Sequence, residues 1–292
     1  MKLKIKSLFI ITGIAFLMPV IFSCSSQPEK QGDINQLRVQ ADMLLESGNR
    51  ETGKGNYNNA LILINESKRL ATLADDPSLI IRSSLSRANV IYSLGRVDEA
   101  FAEWEQAVSE AQQFGNDELL SAAKLYRARG ELISGKKSAQ SVLDIVNSEQ
   151  ANIKINQLYI AVSLQVKGLA LRSLGKYKDA EDAFLQSAEI HEKNLYFENA
   201  SYDWYSIASS RSLSGDFNGS IQALEKSIEI DRRIENSWGL AASWRSMGDV
   251  YRKIGNEQKA LEAYNRSISI YRAMGNNYEI SQTEARMRRN NE

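Results

Sequence analysis

SLGKYKDAEDAF, residues 173–184, contains a pattern of small residues that recurs along the chain. Counting by forty residues in both directions from Gly175 reaches a glycine at every step. These six marker glycines are Gly55, Gly95, Gly135, Gly175, Gly215 and Gly255. A fixed period of roughly 20–50 residues is typical of repeat architectures, in which each repeat is one supersecondary unit. The period therefore decides the fold class.

Small and large residues stand at fixed distances from the marker glycines. Seven residues before each marker stands a glycine or an alanine, at Gly48, Ala88, Ala128, Gly168, Ala208 and Gly248. Five residues after five of the markers stands another small residue, at Ala60, Ala100, Ala180, Ser220 and Ala260. Nine residues after the same markers stands a large residue, at Ile64, Trp104, Phe184, Leu224 and Tyr264. Because small residues let two backbones approach closely, the columns predict a tightly packed helical hairpin in each repeat.

The composition allows helices along nearly the whole chain of 292 residues, since it contains only three prolines. A marker glycine can adopt the left-handed conformation that ends a helix, so the sixth hairpin is predicted at 238–254 and 257–274. A single hairpin cannot bury its apolar faces alone, and neighbouring hairpins therefore stack into a solenoid. We predict an all-α fold, an α-solenoid of about six 40-residue hairpins in which a helix at 277–287 caps the C-terminal end.

WRSMGDVYRKIGNEQKALEAY, residues 244–264, resembles the tetratricopeptide repeat (TPR). The residues at the family positions are Trp244, Met247, Gly248, Tyr251, Gly255, Ala260 and Tyr264. The resemblance covers about residues 41–280, and the period of forty is similar to the longer-helix subgroup of this family. HEAT and armadillo repeats are the second choice, because nothing in their helices requires the glycine-to-alanine spacing. In the third repeat, Ala139 and Leu143 come one residue early, which predicts a turn one residue shorter.

The N-terminus has the layout of a secretory signal peptide. Lys2, Lys4 and Lys6 precede an apolar run over residues 8–22, which is shorter than the roughly 20 residues of a membrane-spanning helix. A permanent transmembrane anchor is therefore the weaker alternative. The only cysteine, Cys24, follows this run within VIFSCSSQ, which resembles the lipobox of bacterial lipoproteins. A buried free cysteine is the alternative interpretation.

The lipobox resemblance implies cleavage before Cys24, a diacylglycerol on its sulfur and acylation of its new amino group. Two such lipid signals give stable membrane attachment. Ser25, in place of an aspartate, implies the outer membrane of a bacterial cell envelope, with the protein facing the periplasm or the cell surface. The predicted domains are a signal peptide at 1–23, a lipidated cysteine with a flexible tether at 24–36, and a TPR-like α-solenoid at 37–292.

Charge and motifs argue against several classes of function. The formal net charge is zero and falls to minus three without residues 1–23, so nothing favours binding to nucleic acid. We expect the single histidine, His191, to be a plain surface residue. With Cys24 assigned to lipidation, no Cys/His metal site can be built, and no phosphate-binding glycine motif is present. We therefore expect no enzyme, no metal and no cofactor, although an enzyme that needs only two carboxylates, such as a glycosidase, stays open.

The TPR resemblance implies that the first helix of each hairpin lines a concave groove that binds an extended or helical segment of a partner. The groove candidates are Arg82, Asn89, Tyr92, Tyr126, Arg129, Gln165, Arg172, Tyr202, Tyr205, Arg245, Asp249 and Arg252. Five arginines against one acid predict an acidic peptide, because arginine offers forked donors to carboxylates and tyrosine offers a large contact area. Flat, solvated arginines are the alternative.

Two functional hypotheses follow. The leading hypothesis is a lipid-anchored TPR scaffold of the bacterial cell envelope that binds a partner protein or peptide in the groove. The alternative is a glycan-binding or glycan-processing envelope lipoprotein, suggested by the aromatic residues Tyr202, Trp204 and Tyr205.

Overall fold

The computed structural model describes residues 32–288, which form thirteen α-helices joined by short turns. The helices are α1 Gly32–Gly53, α2 Tyr57–Leu73, α3 Pro77–Ser93, α4 Val97–Gln113, α5 Asp117–Ile133, α6 Ala139–Glu149, α7 Gln157–Ser173, α8 Tyr177–Lys193, α9 Phe197–Ser214, α10 Phe217–Arg233, α11 Ser237–Lys253, α12 Glu257–Ala273 and α13 Asn277–Arg288. None of these thirteen is long and apolar enough to cross a membrane. The predicted signal peptide 1–23 and Cys24 lie outside the described residues, and α1 begins inside the segment 24–36 predicted as a tether.

The helices pair into six consecutive antiparallel hairpins, α1/α2 to α11/α12, and each hairpin packs on the next. This confirms the predicted all-α solenoid. The sixth hairpin, α11 and α12, ends within one residue of the predicted bounds. Helix α13 packs against α12 without a partner helix of its own in the described chain, which confirms the predicted capping helix.

All six marker glycines end the first helix of a hairpin in the left-handed conformation, with φ between +73° and +90°. At Gly175 the backbone N–H donates to the carbonyl of Arg172, and the N–H of Lys176 donates to the carbonyl of Leu171, both at 3.0 Å. This pair of bonds satisfies carbonyls that the end of the helix would otherwise leave free. The glycines are therefore turns, as the sequence predicts.

The turns between hairpins use the same left-handed conformation. Twenty residues after a marker glycine it occurs at Asp75, Gly115, Leu195, Glu235 and Gly275. Most helices are 17 residues long, so a three-residue turn completes a half-repeat of twenty. Three of these five turn residues carry side chains, which explains why glycine alone shows only the period of forty.

The columns of small residues mark the contact between paired helices. A Cβ atom on Gly168 would lie 2.8 Å from the ring of Phe184, and one on Gly248 would lie 2.7 Å from the ring of Tyr264. In the fifth hairpin the Ser220 hydroxyl donates to the carbonyl of Ala208 at 2.8 Å. The large residue of the second helix thus packs on the small residue of the first, as the columns predict.

The third hairpin departs from the others, and the prediction of a shorter turn is wrong. Helix α6 begins at Ala139, four residues after its marker glycine, whereas α8 begins two residues after Gly175. The Ser138 hydroxyl accepts a hydrogen bond from the N–H of Ser141 at 3.2 Å and caps this later start. Helix α6 has only 11 residues and is followed by a 3-10 turn at Gln150–Asn152.

The apolar core divides into two parts. One cluster runs from Ile81 to Ala263 through the second to sixth hairpins. A smaller cluster, from Ala41 to Val90, holds the first hairpin against one side of α3. The first hairpin is therefore packed through a core of its own.

Candidate functional site

The twelve groove candidates lie on the first helices of the second to sixth hairpins, α3, α5, α7, α9 and α11. Eleven of them are half-buried, and Gln165 is buried. The stacking of first helices brings residues forty positions apart close to one another, because each repeat repeats the geometry of the one before. We call the surface lined by this row of first helices the groove.

Two of the five groove arginines are neutralised within the protein. Arg82 on α3 donates to the carboxylate of Asp42 on α1 at 2.9 Å. Arg245 on α11 forms an ion pair with Glu279 on α13. These two arginines are therefore less available to a carboxylate of a partner.

The C-terminal end of the groove is occupied by the capping helix. Arg286 of α13 forms an ion pair with Asp249, which also accepts a hydrogen bond from the Tyr264 hydroxyl at 2.7 Å. Burial, together with Asp249, raises the pKa of that hydroxyl. Arg252 donates to the backbone carbonyl of Arg286, and its guanidinium lies 4.9 Å from the centre of the Tyr264 ring. Asp249 and Arg252 thus hold α13 in place.

Arg129, Arg172 and Arg252 are the groove arginines that pair with no carboxylate of residues 32–288, and Arg252 is already bonded to the backbone carbonyl of Arg286. Arg129 donates to the side-chain oxygen of Gln165 at 3.3 Å and lies 5.4 Å from the centre of the Tyr202 ring. Arg172 lies 5.7 Å from the centre of the Phe184 ring, and one of its terminal nitrogens is buried without a partner in this part of the chain. The guanidiniums of Arg129 and Arg172 therefore have no carboxylate partner within the described residues.

Two tyrosines, Tyr126 and Tyr202, lie near Arg129. The rings of Tyr202 and Tyr205 lie 6.5 Å apart, and the Tyr205 hydroxyl accepts a hydrogen bond from Ser246 of α11 at 3.2 Å. Burial raises the pKa of Tyr126, although Arg129 nearby acts in the opposite direction. The middle of the groove therefore combines one guanidinium with several phenol rings.

Three further residues that the sequence analysis singled out lie away from Arg129 and its neighbouring tyrosines. Tyr92 packs within its own hairpin, with its ring centre 5.7 Å from that of Trp104, and Asn89 is half-buried on α3. The indole N–H of Trp204 donates to the carboxylate of Glu192 at 2.6 Å, and the Lys226 ammonium lies 4.5 Å from the centre of the Trp204 ring. Because those partners belong to the second helices α8 and α10, Trp204 forms no common platform with the groove tyrosines.

His191 is fully buried, so its predicted surface position is wrong. Its Nδ1 donates to the Oδ2 of Asp203 at 2.7 Å, and the Ser187 hydroxyl donates to the same oxygen at 2.8 Å. Gln165 donates to the other oxygen of Asp203 at 2.8 Å, and the amide of Asn199 lies 3.3 Å from Nε2 of the imidazole. A buried carboxylate held by three donors satisfies the rule that buried charge must be hydrogen-bonded. Through Gln165 this network reaches Arg129 in the groove.

The network has the residue types of a catalytic triad but not its geometry. Triad chemistry needs the serine at Nε2 of the imidazole while the acid holds Nδ1. Here Ser187 and Asp203 both lie on the Nδ1 side, and all three side chains are fully buried. Within residues 32–288 no cluster of three His, Cys, Asp or Glu side chains could hold a metal ion.

A comparison of repeat columns would have revealed the network. Sixteen residues after the marker, where His191 stands, other repeats have Ala71, Ala111, Asp231 and Tyr271. Twenty-eight residues after it, where Asp203 stands, they have Ser83, Ala123, Ser163, Ser243 and Thr283. The residues at both of these repeat positions are buried, apart from residue 151. A repeat that has a histidine at the first position and a carboxylate at the second is therefore expected to bury the two as a pair. Burial also raises the pKa of Asp231 to about 6.

The N-terminal and C-terminal hairpins touch. Helices α1 and α11 approach each other, and Lys54 lies 3.4 Å from the carboxylate of Glu235 in the α10–α11 turn. A Cβ atom on Gly53 would lie 2.9 Å from the side-chain oxygen of Asn236. The C-terminal end of α1 therefore meets the N-terminal end of α11.

Further contacts join the first hairpin to the C-terminal part of the chain. A Cβ atom on Gly55 would lie 2.9 Å from the methyl carbon of Met274 at the end of α12. Burial raises the pKa of Glu198 on α9 to about 7; Arg50 of α1 opposes this rise, and Glu46 of α1 adds to it. Helix α1 is thus close to α9 as well as to α11.

Comparison with known proteins agrees with this architecture. Tetratricopeptide-repeat family models match residues 161–194 and 201–273. No curated protein matches the chain in sequence.

Solved structures of similar fold share little sequence identity with the chain. Bacillus thuringiensis PlcR, in complex with the peptide PapR7 and DNA, has a TM-score of 0.62 and 14% identity, over 86% of this chain and 97% of that chain. The Cut9–Hcn1 hetero-tetramer of APC/C has a TM-score of 0.56 and 14% sequence identity, over 88% of this chain and 46% of that chain. A Rap protein complexed with Competence and Sporulation Factor has a TM-score of 0.55 and 14% sequence identity, over 87% of this chain and 77% of that chain. Identities this low show a common fold, and residues 161–194 and 201–273 are accordingly tetratricopeptide repeats within a helical array that has the fold of a TPR solenoid.

Proposed function

We propose that the protein is a lipid-anchored scaffold of the bacterial cell envelope that binds a partner protein or peptide in its groove. TPR solenoids are interaction scaffolds, and the similar fold of PlcR was solved with a bound peptide. The observation that carries the proposal is the pair Arg129, beside Tyr202, and Arg172, over Phe184, neither of which is paired with a carboxylate of the described residues. A scaffold of this kind performs no chemistry of its own.

The partner segment is an acidic peptide. A guanidinium presents planar, forked donors to a carboxylate, and the nearby phenol rings supply contact area with little rotamer entropy to lose. Gln165 occupies one side of the Arg129 guanidinium and leaves its other donors for a ligand. Arg82 and Arg245, which already hold carboxylates, contribute less.

The double change Arg129→Glu with Arg172→Glu is expected to abolish binding of the partner. Reversing both charges replaces two attractive sites by two repulsive ones, and like charges in an interface cost several kcal/mol. Partner recovery from detergent-solubilised envelopes measures the effect. Recovery by the unchanged protein should also fall as salt shortens the Debye length to roughly 8 Å and below.

The matched control is Arg69→Glu with Arg96→Glu. Both arginines lie outside the groove and pair with a glutamate three residues away on the chain. This control should bind normally, and both double variants should keep the helical content of the parent. A partner recovered equally with all variants and at all salt concentrations would place binding outside the groove. Retention on peptidoglycan or polysaccharide without any protein would instead support the glycan-binding alternative.

Lipid attachment at Cys24 would place the groove at a membrane surface. Cys24 precedes the start of α1 by eight residues, a length of chain that spans at most about 29 Å when fully extended. The first hairpin would therefore stay close to the lipid headgroups, with the groove open to a partner in the envelope.

Cys24→Ala is expected to remove lipid labelling entirely. Metabolic labelling with a palmitate analogue, followed by isolation of the protein, measures incorporation. The altered protein should retain its signal peptide or leave the membrane fraction, whereas Ser25→Ala should be labelled like the parent. Equal label in the parent and in Cys24→Ala would contradict the proposed anchor.

A further inference from the structure

A cleft of about 370 Å³ lies between the second helices α10 and α12, with α11 as its floor. Helix α11 contributes Trp244, Met247 and Tyr251 to this cleft. These three residues are spaced by three and four positions, so they share one face of the helix. Arg245 and Asp249 of the groove stand on another face of α11. The cleft is therefore separate from the groove.

The fifth repeat shows what fills the equivalent place forty residues earlier. There the indole N–H of Trp204 donates to one carboxylate oxygen of Glu192 at 2.6 Å, and the Lys226 ammonium lies 3.3 Å from the same oxygen. The ammonium also lies 4.5 Å from the centre of the Trp204 ring. One carboxylate thus joins a tryptophan and a cation that come from different helices.

The sixth repeat keeps the tryptophan and the cation but lacks the carboxylate. Arg266 stands in the place of Lys226, and Arg232 stands in the place of Glu192. Their guanidinium carbons lie 4.5 Å and 5.8 Å from the centre of the Trp244 ring. In the described part of the chain neither arginine forms an ion pair with a carboxylate. Two cations therefore flank this ring where the fifth repeat has an ion pair.

The other lining residues limit the kind of anion that fits. Lys259 lies 5.4 Å from the centre of the Tyr251 ring, and Glu225 and Glu262 also line the cleft. Three cations against two acids leave one positive charge, which suits a singly charged carboxylate better than a doubly charged phosphate. The two tryptophan and tyrosine rings of the floor offer apolar contact to the side chains beside that carboxylate.

We propose that this cleft binds a glutamate or aspartate carboxylate from an apolar segment of a partner, held by Arg232 and Arg266 beside the ring of Trp244. The carboxylate takes the place that Glu192 has in the fifth repeat. Guanidinium groups present planar, forked donors that match a carboxylate. The site does not depend on the function proposed for the groove.

The indole N–H signal of Trp244 in a nitrogen-15 NMR spectrum measures binding at this site. The sample is the full chain in a neutral detergent, and Trp244→Phe assigns the signal. The probe is the peptide acetyl-Leu-Glu-Leu-amide, which should shift the signal. The matched peptide acetyl-Leu-Gln-Leu-amide should bind at least about fivefold more weakly, because it lacks the charge that strengthens hydrogen bonds to a guanidinium. Inorganic phosphate at equal ionic strength should also bind more weakly than the glutamate peptide.

Arg232→Glu should weaken binding of the glutamate peptide at least about tenfold, because like charges repel across an interface. The new carboxylate should also move the Trp244 signal without any peptide, since it pairs with Arg266 as Glu192 pairs with Lys226. The matched control is Arg233→Glu, one position further along, where the guanidinium lies 4.0 Å from the centre of the Phe197 ring. This variant carries the same change of charge and should bind the peptide like the parent.

The reverse exchange creates the site in the fifth repeat. Glu192→Arg removes the carboxylate that Trp204 and Lys226 share. The Trp204 signal, which should not respond to the glutamate peptide in the parent, should respond in this variant. Circular dichroism checks that the variants keep the helical content of the parent. If Arg232→Glu does not fold, Arg266→Gln removes the second guanidinium and should also weaken binding.

Three results would overturn the site. Equal binding of the glutamate and glutamine peptides would show that the carboxylate is not recognised. Equal binding by Arg232→Glu and Arg233→Glu would place the peptide elsewhere. Tighter binding of phosphate than of the glutamate peptide would show a general anion site. The groove variant Arg129→Glu with Arg172→Glu should leave the indole response unchanged, so the two proposals stand or fall separately.

Discussion

Asp203→Ala is expected to lower the free energy of unfolding by about 3–5 kcal/mol, because it removes the acceptor at the centre of a buried network. Gln165, Ser187 and His191 would each lose a hydrogen-bond partner where water does not reach them. Denaturation by urea, followed by circular dichroism, measures the shift in midpoint. Asp249→Ala removes a half-buried carboxylate and should lower the free energy of unfolding by less than Asp203→Ala does.

The first repeat supplies a template for rescue. Leu45, Ala71 and Ser83 occupy the columns of Gln165, His191 and Asp203, and in that repeat Ser67 lies 3.0 Å from Ser83. The triple change Gln165→Leu, His191→Ala and Asp203→Ser should therefore recover more than half of the stability lost by Asp203→Ala, because the remaining groups satisfy each other. A triple variant as unstable as Asp203→Ala would show that the network does more than satisfy its own members.

Phe184→Ala should cost about 3–5 kcal/mol, the range for removal of a fully buried aromatic ring. The ring fills the space over Gly168, where even a Cβ atom would lie within 2.8 Å of it. A glycine cannot refill the resulting cavity, so little relaxation is available. The same denaturation experiment measures the loss.

Phe114→Ala is the matched control, since that ring is 39% exposed at the end of α4. It should lower the free energy of unfolding by less than about 1 kcal/mol. Similar losses at both positions would mean that the glycine-to-aromatic column is not the main contact within the hairpins.

The sequence by itself determined the repeating unit of the protein. At four of the six marker glycines, Gly175 among them, the glycine N–H donates to the carbonyl three residues before it and the next N–H donates to the carbonyl five residues before itself. Three small residues of the first helices, Gly48, Gly168 and Gly248, each meet a large residue sixteen positions later, as Gly168 meets Phe184. These contacts lie within one hairpin, so their residue types recur at a readable spacing. The all-α solenoid, the sixth hairpin and the capping helix follow from them.

Only the tertiary structure decided how the groove side chains are used. Arg82 pairs with Asp42 across 40 residues, whereas Arg129 pairs with no carboxylate of the described chain, although both stand on first helices. Whether a groove arginine pairs with a carboxylate depends on distances between side chains of different repeats. Composition and periodicity do not give those distances. The burial of His191 has the same origin, because it depends on Asp203 arriving from the next hairpin.

The remaining features depend on the balance of the whole fold. Leu195 adopts a left-handed conformation at a local cost of about 1–2 kcal/mol, which the closing hydrogen bonds and the stacking of helices outweigh. The contact of Lys54 with Glu235 is set by the sum of small rotations between successive hairpins. No single stretch of sequence encodes that sum, so this contact becomes visible only when all six hairpins are in place.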